Sequence, residues 1–586
     1  MKNPIKSFKP VSITAIIALI AITGLGMAAC GDPDNGGSDN FSTPSSPEAM
    51  SGKTALKFFT DNDIKAGWNL GNTLDAVTFS GNTAVKAEET AWGNPLASQQ
   101  LFNGVVQSGF DIVRIPCTWL GHIGPAPDYK VSEARLKRVA VIVGYAKTAG
   151  AKAVVINIHH DGNNTSGDNS IWGFVDLPAA VNNSAKKSEI QNQIGKVWTQ
   201  IAEYFKNYGD YLIFETLNEV HNGNWGYNAP EKEQDILFDW NQAALSAIRA
   251  TGGNNAERFV AVPGLGGTEP GVVIAAHSRG KLLPNDGANG NNKLIVSVHY
   301  YDPGQYTVAA ANDPSWPLIH TWGSSSEKEH LSHEAGLVKT NFIDKGIAVY
   351  FGEWGAPTNV RSSMSAEIKN THIDYIKSVA GAARANGVVP IYWDDGGDFK
   401  MLERSNGKPK TGLWADVLSA MITAINNAAP SVTVTPNPIT GNLGNYRFGL
   451  KEDGITENNT QAVWELKSGN LSNAKVSGAK LELVLKAAPD AGLQFIWQGP
   501  DNGIWWQQTV PDILDDNGNI NNSSHASWDA GAKTLTINMS AAKNYDSEGD
   551  GSGTFTSQNS LNIIVAYYGG NSVNDLGIVS ANLVTE

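Results

Sequence analysis

Cysteine is nearly absent: the chain has two in 586 residues, Cys30 and Cys117. That count excludes a disulfide framework and the paired-cysteine spacing of a structural zinc site. Positive charge is scarce too, with 43 Lys plus Arg against 57 Asp plus Glu and a formal charge of −14. A nucleic-acid partner would call for clustered Lys and Arg, so none is expected. No phosphate-loop, redox or metal-ligand signature occurs, so no cofactor and no metal is expected. The long apolar run is confined to Val11–Gly26, which is too short and wrongly flanked for a stable membrane span.

That run follows Lys2, Lys6 and Lys9 and ends in Leu25-Gly26-Met27-Ala28-Ala29-Cys30, which resembles a bacterial lipobox. Residues 1–29 therefore read as a lipoprotein signal peptide, with an ordinary signal cleaved near Ala29 as the alternative. Cys30 becomes the lipidated first residue, giving an exported protein anchored to the bacterial membrane, with the cell surface as one location. Residues 30–52, rich in Gly, Ser, Asp, Asn and Pro, read as a flexible linker. Cys117 lies in an apolar strand and reads as an inert core thiol.

From 53 to 429 short apolar segments alternate with amphipathic ones. Strands are expected at Gly67–Asp75, Asp111–Trp119, Ala153–Asp161, Leu212–Val220, Phe259–Leu265, Leu294–Pro303, Ile347–Gly355 and Val388–Gly396. Helices are expected over segments such as Glu133–Ala149, Lys187–Asn207, Glu231–Ala250, Glu327–Lys345 and Ala366–Ala385. Near-continuous apolar strands followed by helices imply a covered parallel sheet, and eight such units imply a (β/α)8 TIM barrel. Residues 430–440 form a second linker. Residues 441–586 carry alternating strands between Gly, Asn and Asp turns, the pattern of an all-β sandwich.

Catalysis in such a barrel sits at the C-terminal ends of the strands. Those ends carry Asn69 to Asp75, Arg114, His159-His160-Asp161, Asn218-Glu219, His299-Tyr300-Tyr301, Glu353-Trp354 and Trp393-Asp394-Asp395. Charged strand ends often only meet water, which explains one or two of these groups but explains the set poorly. Glycoside cleavage needs an acid for the leaving oxygen and a second carboxylate opposite the anomeric carbon. Glu219 and Glu353, on the fourth and seventh strands, can fill those places, and a separation of about 5–5.5 Å would mean retention of configuration. Arg114 and Tyr301 can hold Glu353 ionised, His299 can help set the proton of Glu219, Asn218 can bond the sugar 2-hydroxyl, and Trp393 can floor the reacting sugar.

At these residues the chain resembles glycoside hydrolase family 5, a retaining (β/α)8 family. Gly67-Trp-Asn-Leu-Gly-Asn-Thr-Leu-Asp-Ala76 is similar to its endoglucanase and xyloglucanase branch, and the resemblance spans 53–429. It implies Glu219 as acid/base and Glu353 as nucleophile. Supporting roles follow for Arg114, His159 or His160, Asn218, His299, Tyr301 and Trp393. Neighbouring strand residues face opposite ways, and His160 is taken as the inward histidine with His159 among the substrate contacts.

An endo-acting enzyme needs an open cleft with stacking platforms, and the 17 Trp suit that need. Substrate contacts are sought at Asn72, Trp92, Trp225, Trp322 and Trp393, with Trp119, Trp172, Tyr227 and Trp354 as further platforms. About half of the platforms are expected to be core instead. The long loops after the third, fourth and sixth strands would suit a groove that accepts branched xyloglucan. In the sandwich Trp497, Trp505 and Trp506 suggest a carbohydrate-binding module, with a spacer domain as the alternative. The expected partner is a β-1,4-glucan (cellulose, mixed-linkage glucan or xyloglucan) and the expected state a monomer. A β-mannanase on the same fold and a glycan-binding lipoprotein without activity are the rival readings.

Overall fold

The computed structural model describes residues 43–428 apart from 82, 163–172, 224, 226–229 and 310–315. Beyond these it describes segments 441–443, 446–451, 456–466, 479–489, 493–499, 504–510, 526–538, 543–544, 561–567 and 572–585. The signal peptide, Cys30, Trp172, Tyr227 and the expected 430–440 linker lie outside the described residues. The chain splits into two compact units whose main boundary falls between residues 432 and 433.

The first unit is the expected barrel. Its strands are β1 (Gly67–Asn69), β2 (Ile112–Ile115), β3 (Ala153–Asn157), β4 (Leu212–Glu215), β5 (Val260–Pro263), β6 (Leu294–Tyr300), β7 (Ala348–Trp354) and β8 (Val389–Tyr392). All neighbours are parallel and the ring closes where β1 pairs with both β2 and β8. Each strand is buried along its whole length, which is why its sequence reads as an apolar run rather than an alternation.

Each strand is followed by a covering helix, and shorter helices also lie in some of the loops: α1 (Gln99–Gln107), α2 (Glu133–Ala149), α3 (Ser184–Tyr204), α4 (Glu231–Ala250), α5 (Pro270–Ser278), α6 (Ser325–Asn341), α7 (Ala366–Ala385) and α8 (Leu413–Asn427) cover the strands. Serine caps start several of them. Ser98, Ser132 and Ser365 each accept a backbone N–H of the first turn, and Ser324 with Glu327 completes a capping box before α6.

Two departures from the sequence reading concern the ends of elements. Hydrogen-bonded strands are shorter than their apolar runs, because residues such as Leu70, Leu74, Cys117 and Ile158 are buried beneath the loops rather than in the ladder. The linker expected over 30–52 is bound to the barrel from Pro44 onward. Asn207 Nδ2 donates to the Pro44 carbonyl, Glu48 N to Asn207 O, and Gly209 N to Glu48 Oε2, at 3.0, 2.8 and 2.8 Å. Turns at one end of the barrel leave backbone groups to be satisfied, and this segment satisfies them.

Among the described residues, the second unit forms a five-stranded and a six-stranded antiparallel sheet. Leu481, Leu483, Leu535 and Ile537 of one pack with Ala462, Trp464, Ile563 and Val565 of the other. This is the expected sandwich.

Candidate active site

A layer of polar residues crosses the barrel at the C-terminal ends of the strands, and Arg114 of β2 is its hub. Arg114 Nη1 donates to Glu353 Oε1 at 2.8 Å and to Asn69 Oδ1 at 3.0 Å. Its Nη2 donates to Asn218 Oδ1 at 2.7 Å, and its Nε to Glu215 Oε2 at 2.7 Å. A guanidinium has no acceptor atom, so Asn218 must present its carbonyl oxygen to Arg114 and its N–H2 elsewhere. Burial disfavours the guanidinium's charge, but Glu215 and Glu353 more than offset this and raise the Arg114 pKa.

Glu353 lies near the end of β7 and Glu219 in the loop after β4. Single ligand-type atoms of Glu219, His299 and Glu353 all lie within 4.8 Å of one another. His299 Nδ1 stands 2.6 Å from Glu219 Oε1 and 3.8 Å from Glu353 Oε2. Tyr301 donates its hydroxyl to Glu353 Oε2 at 3.2 Å. Two oxygens of neighbouring carboxylates this close cannot both carry charge without cost, so the pair divides its protons unequally.

Burial raises the pKa of both carboxylates. Glu219 rises to about 7, with Arg114 opposing and Glu215 adding to the rise. Glu353 is raised in the same direction, opposed by His299 and Arg114. Arg114 and Tyr301 both donate directly to Glu353, so Glu353 is the carboxylate that ionises first. Burial pushes His299 down to about 4, which leaves its imidazole neutral beside a protonated Glu219.

A register shift produces this alignment. Val298 pairs with Phe351, but His299 pairs with Glu353, which leaves Gly352 as an extra residue in β7. A side chain at 352 would meet Ser297 Oγ at 2.8 Å and His299 Nε2 at 3.3 Å, so only glycine fits. Asn69 Nδ2 holds the carbonyl of that residue at 2.8 Å.

The two histidines exchange the places expected of them. His159 Nε2 is 3.9 Å from Glu353 Oε1, and its ring stacks on Trp393 at 5.9 Å and 10°. His160 turns instead to Asp75, 3.8 Å away, and to the Trp92 ring. Asn157 Nδ2, 3.2 Å from His159 Nδ1, fixes the first ring, while the backbone N–H of His160 is tied to Thr118 Oγ1. Asp75, His159 and His160 also bring donor atoms within 4.8 Å of one another, but Asp75 already accepts the backbone N–H groups of Asn72 and Thr73. Asn72 itself adopts a left-handed φ of 52° in that turn and is half-buried.

The aromatic candidates divide. Trp393, Trp92 and Trp225 are half-buried, and Trp225 stacks on His221 at 3.9 Å. Trp322 is core rather than platform: it is 5% exposed and packs edge-on against Tyr375. Trp119 and Trp354 are core as well; the indole of Trp119 donates to Asn157 O, and Trp354 packs edge-on against Tyr392.

Glu215 escaped the sequence reading. It is fully buried and accepts from Arg114, from Asn157 Nδ2 at 3.0 Å and from Ser297 Oγ at 2.5 Å. A signal for it existed: Glu215 ends the apolar strand Leu212-Ile-Phe-Glu215 as Arg114 interrupts Ile112-Val-Arg-Ile115. Lone opposite charges inside one barrel have to pair.

A family model described as Cellulase (glycosyl hydrolase family 5) matches residues 75–398. Endoglucanase B of Clostridium cellulovorans is 35% identical over 386 residues, covering 64% of this chain and 78% of its own. A xyloglucan-specific endo-beta-1,4-glucanase of Bacteroides ovatus is 32% identical over 356 residues, covering 59% of this chain and 66% of its own. Among solved structures, a broad-specificity endoglucanase from Bacteroides salanitronis aligns with a TM-score of 0.56 and 35% identity, over 66% of this chain and 100% of its own. A Bacteroides ovatus family 5 xyloglucanase bound to a heptasaccharide aligns with a TM-score of 0.56 and 27% identity, over 66% of this chain and 80% of its own. The chain belongs to glycosyl hydrolase family 5.

Proposed function

We propose that this protein is an endo-β-1,4-glucanase that cleaves internal linkages of a glucan with retention of configuration. The observation that carries this reading is the pair Glu219 and Glu353, with oxygens within 4.8 Å and unlike partners. That spacing is well short of the roughly 6.5–9.5 Å that places a water between carboxylate and sugar, and it suits direct attack by one carboxylate. Glu353, held by Arg114 and Tyr301, attacks the anomeric carbon. Glu219 gives its proton to the departing glycosidic oxygen. In the second step Glu219 takes a proton from water, which displaces Glu353 from the sugar.

Asn218 N–H2 meets the 2-hydroxyl, and Trp393 stacks beneath the reacting sugar with His159 behind it. Trp92, Asn72, His160 and Trp225 bind neighbouring sugars. Relatives named as endoglucanases and as a xyloglucan-specific endo-beta-1,4-glucanase support a β-1,4-glucan substrate, including branched xyloglucan. Side-by-side hydrolysis of xyloglucan, mixed-linkage glucan, soluble cellulose and mannan tests it. Internal cuts in one or more of the glucans are expected, whereas hydrolysis of mannan alone would overturn the substrate and no hydrolysis at all the activity.

The sandwich serves this reading as a carbohydrate-binding module. Strands Leu493–Gly499 and Ile504–Val510 pair with Trp497 opposite Trp506 and Gln498 opposite Trp505. The N-terminal lysines, apolar run and Cys30 support export and a lipid anchor on a monomeric enzyme. A Cys30→Ser protein that still partitions into detergent would remove the anchor from this account.

A further inference from the structure

We infer that Glu215 is a positioning residue: its buried carboxylate anchors Arg114 and balances part of the guanidinium's charge, so that both Glu219 and Glu353 hold their protons more tightly than Arg114 alone would allow. The inference rests on Glu219 and Glu353 being the acid and the nucleophile.

The geometry shows how the anchor works. Arg114 has three donating edges, and Glu215 takes Nε at 2.7 Å, leaving Nη1 for Glu353 and Nη2 for Asn218. Glu215 is itself fixed from two other strands. Asn157 of β3 donates to Oε2 at 3.0 Å and Ser297 of β6 to Oε1 at 2.5 Å. Glu215, Glu353 and Arg114 are 0–5% exposed, so water screens little of the charge between them.

Charge counting gives the consequence. The groups around this hub are Arg114 of β2, His159 just after β3, Glu215 of β4 with Glu219 beyond it, His299 and Tyr301 at the end of β6, and Tyr350 and Glu353 of β7. His159 and His299 are driven towards neutrality by burial, and the tyrosines hold their protons. With Glu219 protonated, one positive charge therefore faces two negative ones. Glu215 supplies the extra negative charge that favours the protonated form of Glu219, and it acts in the same direction on His299. Without it Arg114 would act undivided on both Glu353 and Glu219, and both would release protons more readily.

Glu215→Gln isolates the charge. The amide oxygen can still accept from Arg114 and Asn157, and its N–H2 can donate to Ser297 Oγ, whose hydroxyl turns to suit. The expected result is that both limbs of the pH profile of kcat/KM on a soluble glucan move to lower pH by about one unit. Glu215→Asp keeps the charge on a shorter arm; its limbs should stay with the wild type while kcat falls about tenfold. Circular dichroism and thermal melts establish that each variant is folded. Glu215→Gln limbs that coincide with the wild type would overturn the inference, as would a Glu215→Asp enzyme with full kcat if the Gln variant does not fold. A wild-type enzyme without a bell-shaped profile would instead overturn the assignment of Glu219 and Glu353, so the two failures are distinct.

Discussion

At the scale of residues, Arg114 sets the difference between two chemically identical carboxylates. Glu353 receives Arg114 and the Tyr301 hydroxyl, while Glu219 faces the neutral imidazole of His299. Glu353→Gln should abolish turnover and leave polysaccharide binding intact; retained activity would remove Glu353 from the nucleophile's place. Glu219→Gln should lower turnover of polysaccharide by about 10²–10⁴-fold and hurt substrates with good leaving groups far less, because these need no acid. The sign of the pH dependence follows from the same pair. Glu219 must hold a proton, so rate should fall as pH rises past about 7, and it should fall again in acid as Glu353 takes a proton. Loss of activity already complete at pH 6 on the basic side would contradict this. Arg114, Asn218, Glu219, His299, Tyr301 and Glu353 were legible as neighbours because each polar residue interrupts or follows an apolar run. The choice between His159 and His160 was not, since it depends on Asn157 and Thr118 arriving from other parts of the chain.

At the scale of elements, the alignment of the site depends on one irregularity between β6 and β7. The extra Gly352 brings Glu353 opposite His299, and the space around it is filled by Ser297, Tyr350 and His299. Gly352→Ala should lower stability by about 1–3 kcal/mol in a denaturant melt and depress kcat, because the clash falls on groups that flank both carboxylates. An alanine variant with unchanged stability and rate would show that the strand yields there. Bulges have no sequence signature beyond a glycine in a strand, so this one was invisible beforehand. Three of the long helices were the opposite case, whereas Lys187–Asn207 and Glu327–Lys345 lie a few residues earlier, at Ser184–Tyr204 and Ser325–Asn341. Glu133–Ala149, Glu231–Ala250 and Ala366–Ala385 have the same ends in the sequence reading and in the structure, because four or five turns of periodicity fix them. Tryptophan misled in part: Trp119, Trp322 and Trp354 lie near the barrel mouth in sequence, yet their rings fill its packing.

At the scale of the whole molecule, strand–helix alternation gives way to strands alone, and the chain divides into two compact units. The segment after Pro44 read as free linker because its composition carries no sign of the backbone groups it satisfies. Removing residues 433–586 should leave kcat/KM on soluble glucan unchanged and weaken retention on insoluble polysaccharide by about tenfold, as loss of effective concentration requires. Equal retention by both proteins would make the sandwich a spacer. The account as a whole depends on a covalent bond forming between Glu353 and the sugar. Its most direct test is mass spectrometry of the enzyme treated with an activated 2-deoxy-2-fluoro-cellobioside, whose fluorine slows release of the intermediate. A single glycosyl adduct on the peptide containing Glu353 is the predicted result; an adduct on Glu219, or no adduct from an enzyme that turns over glucan, would contradict it.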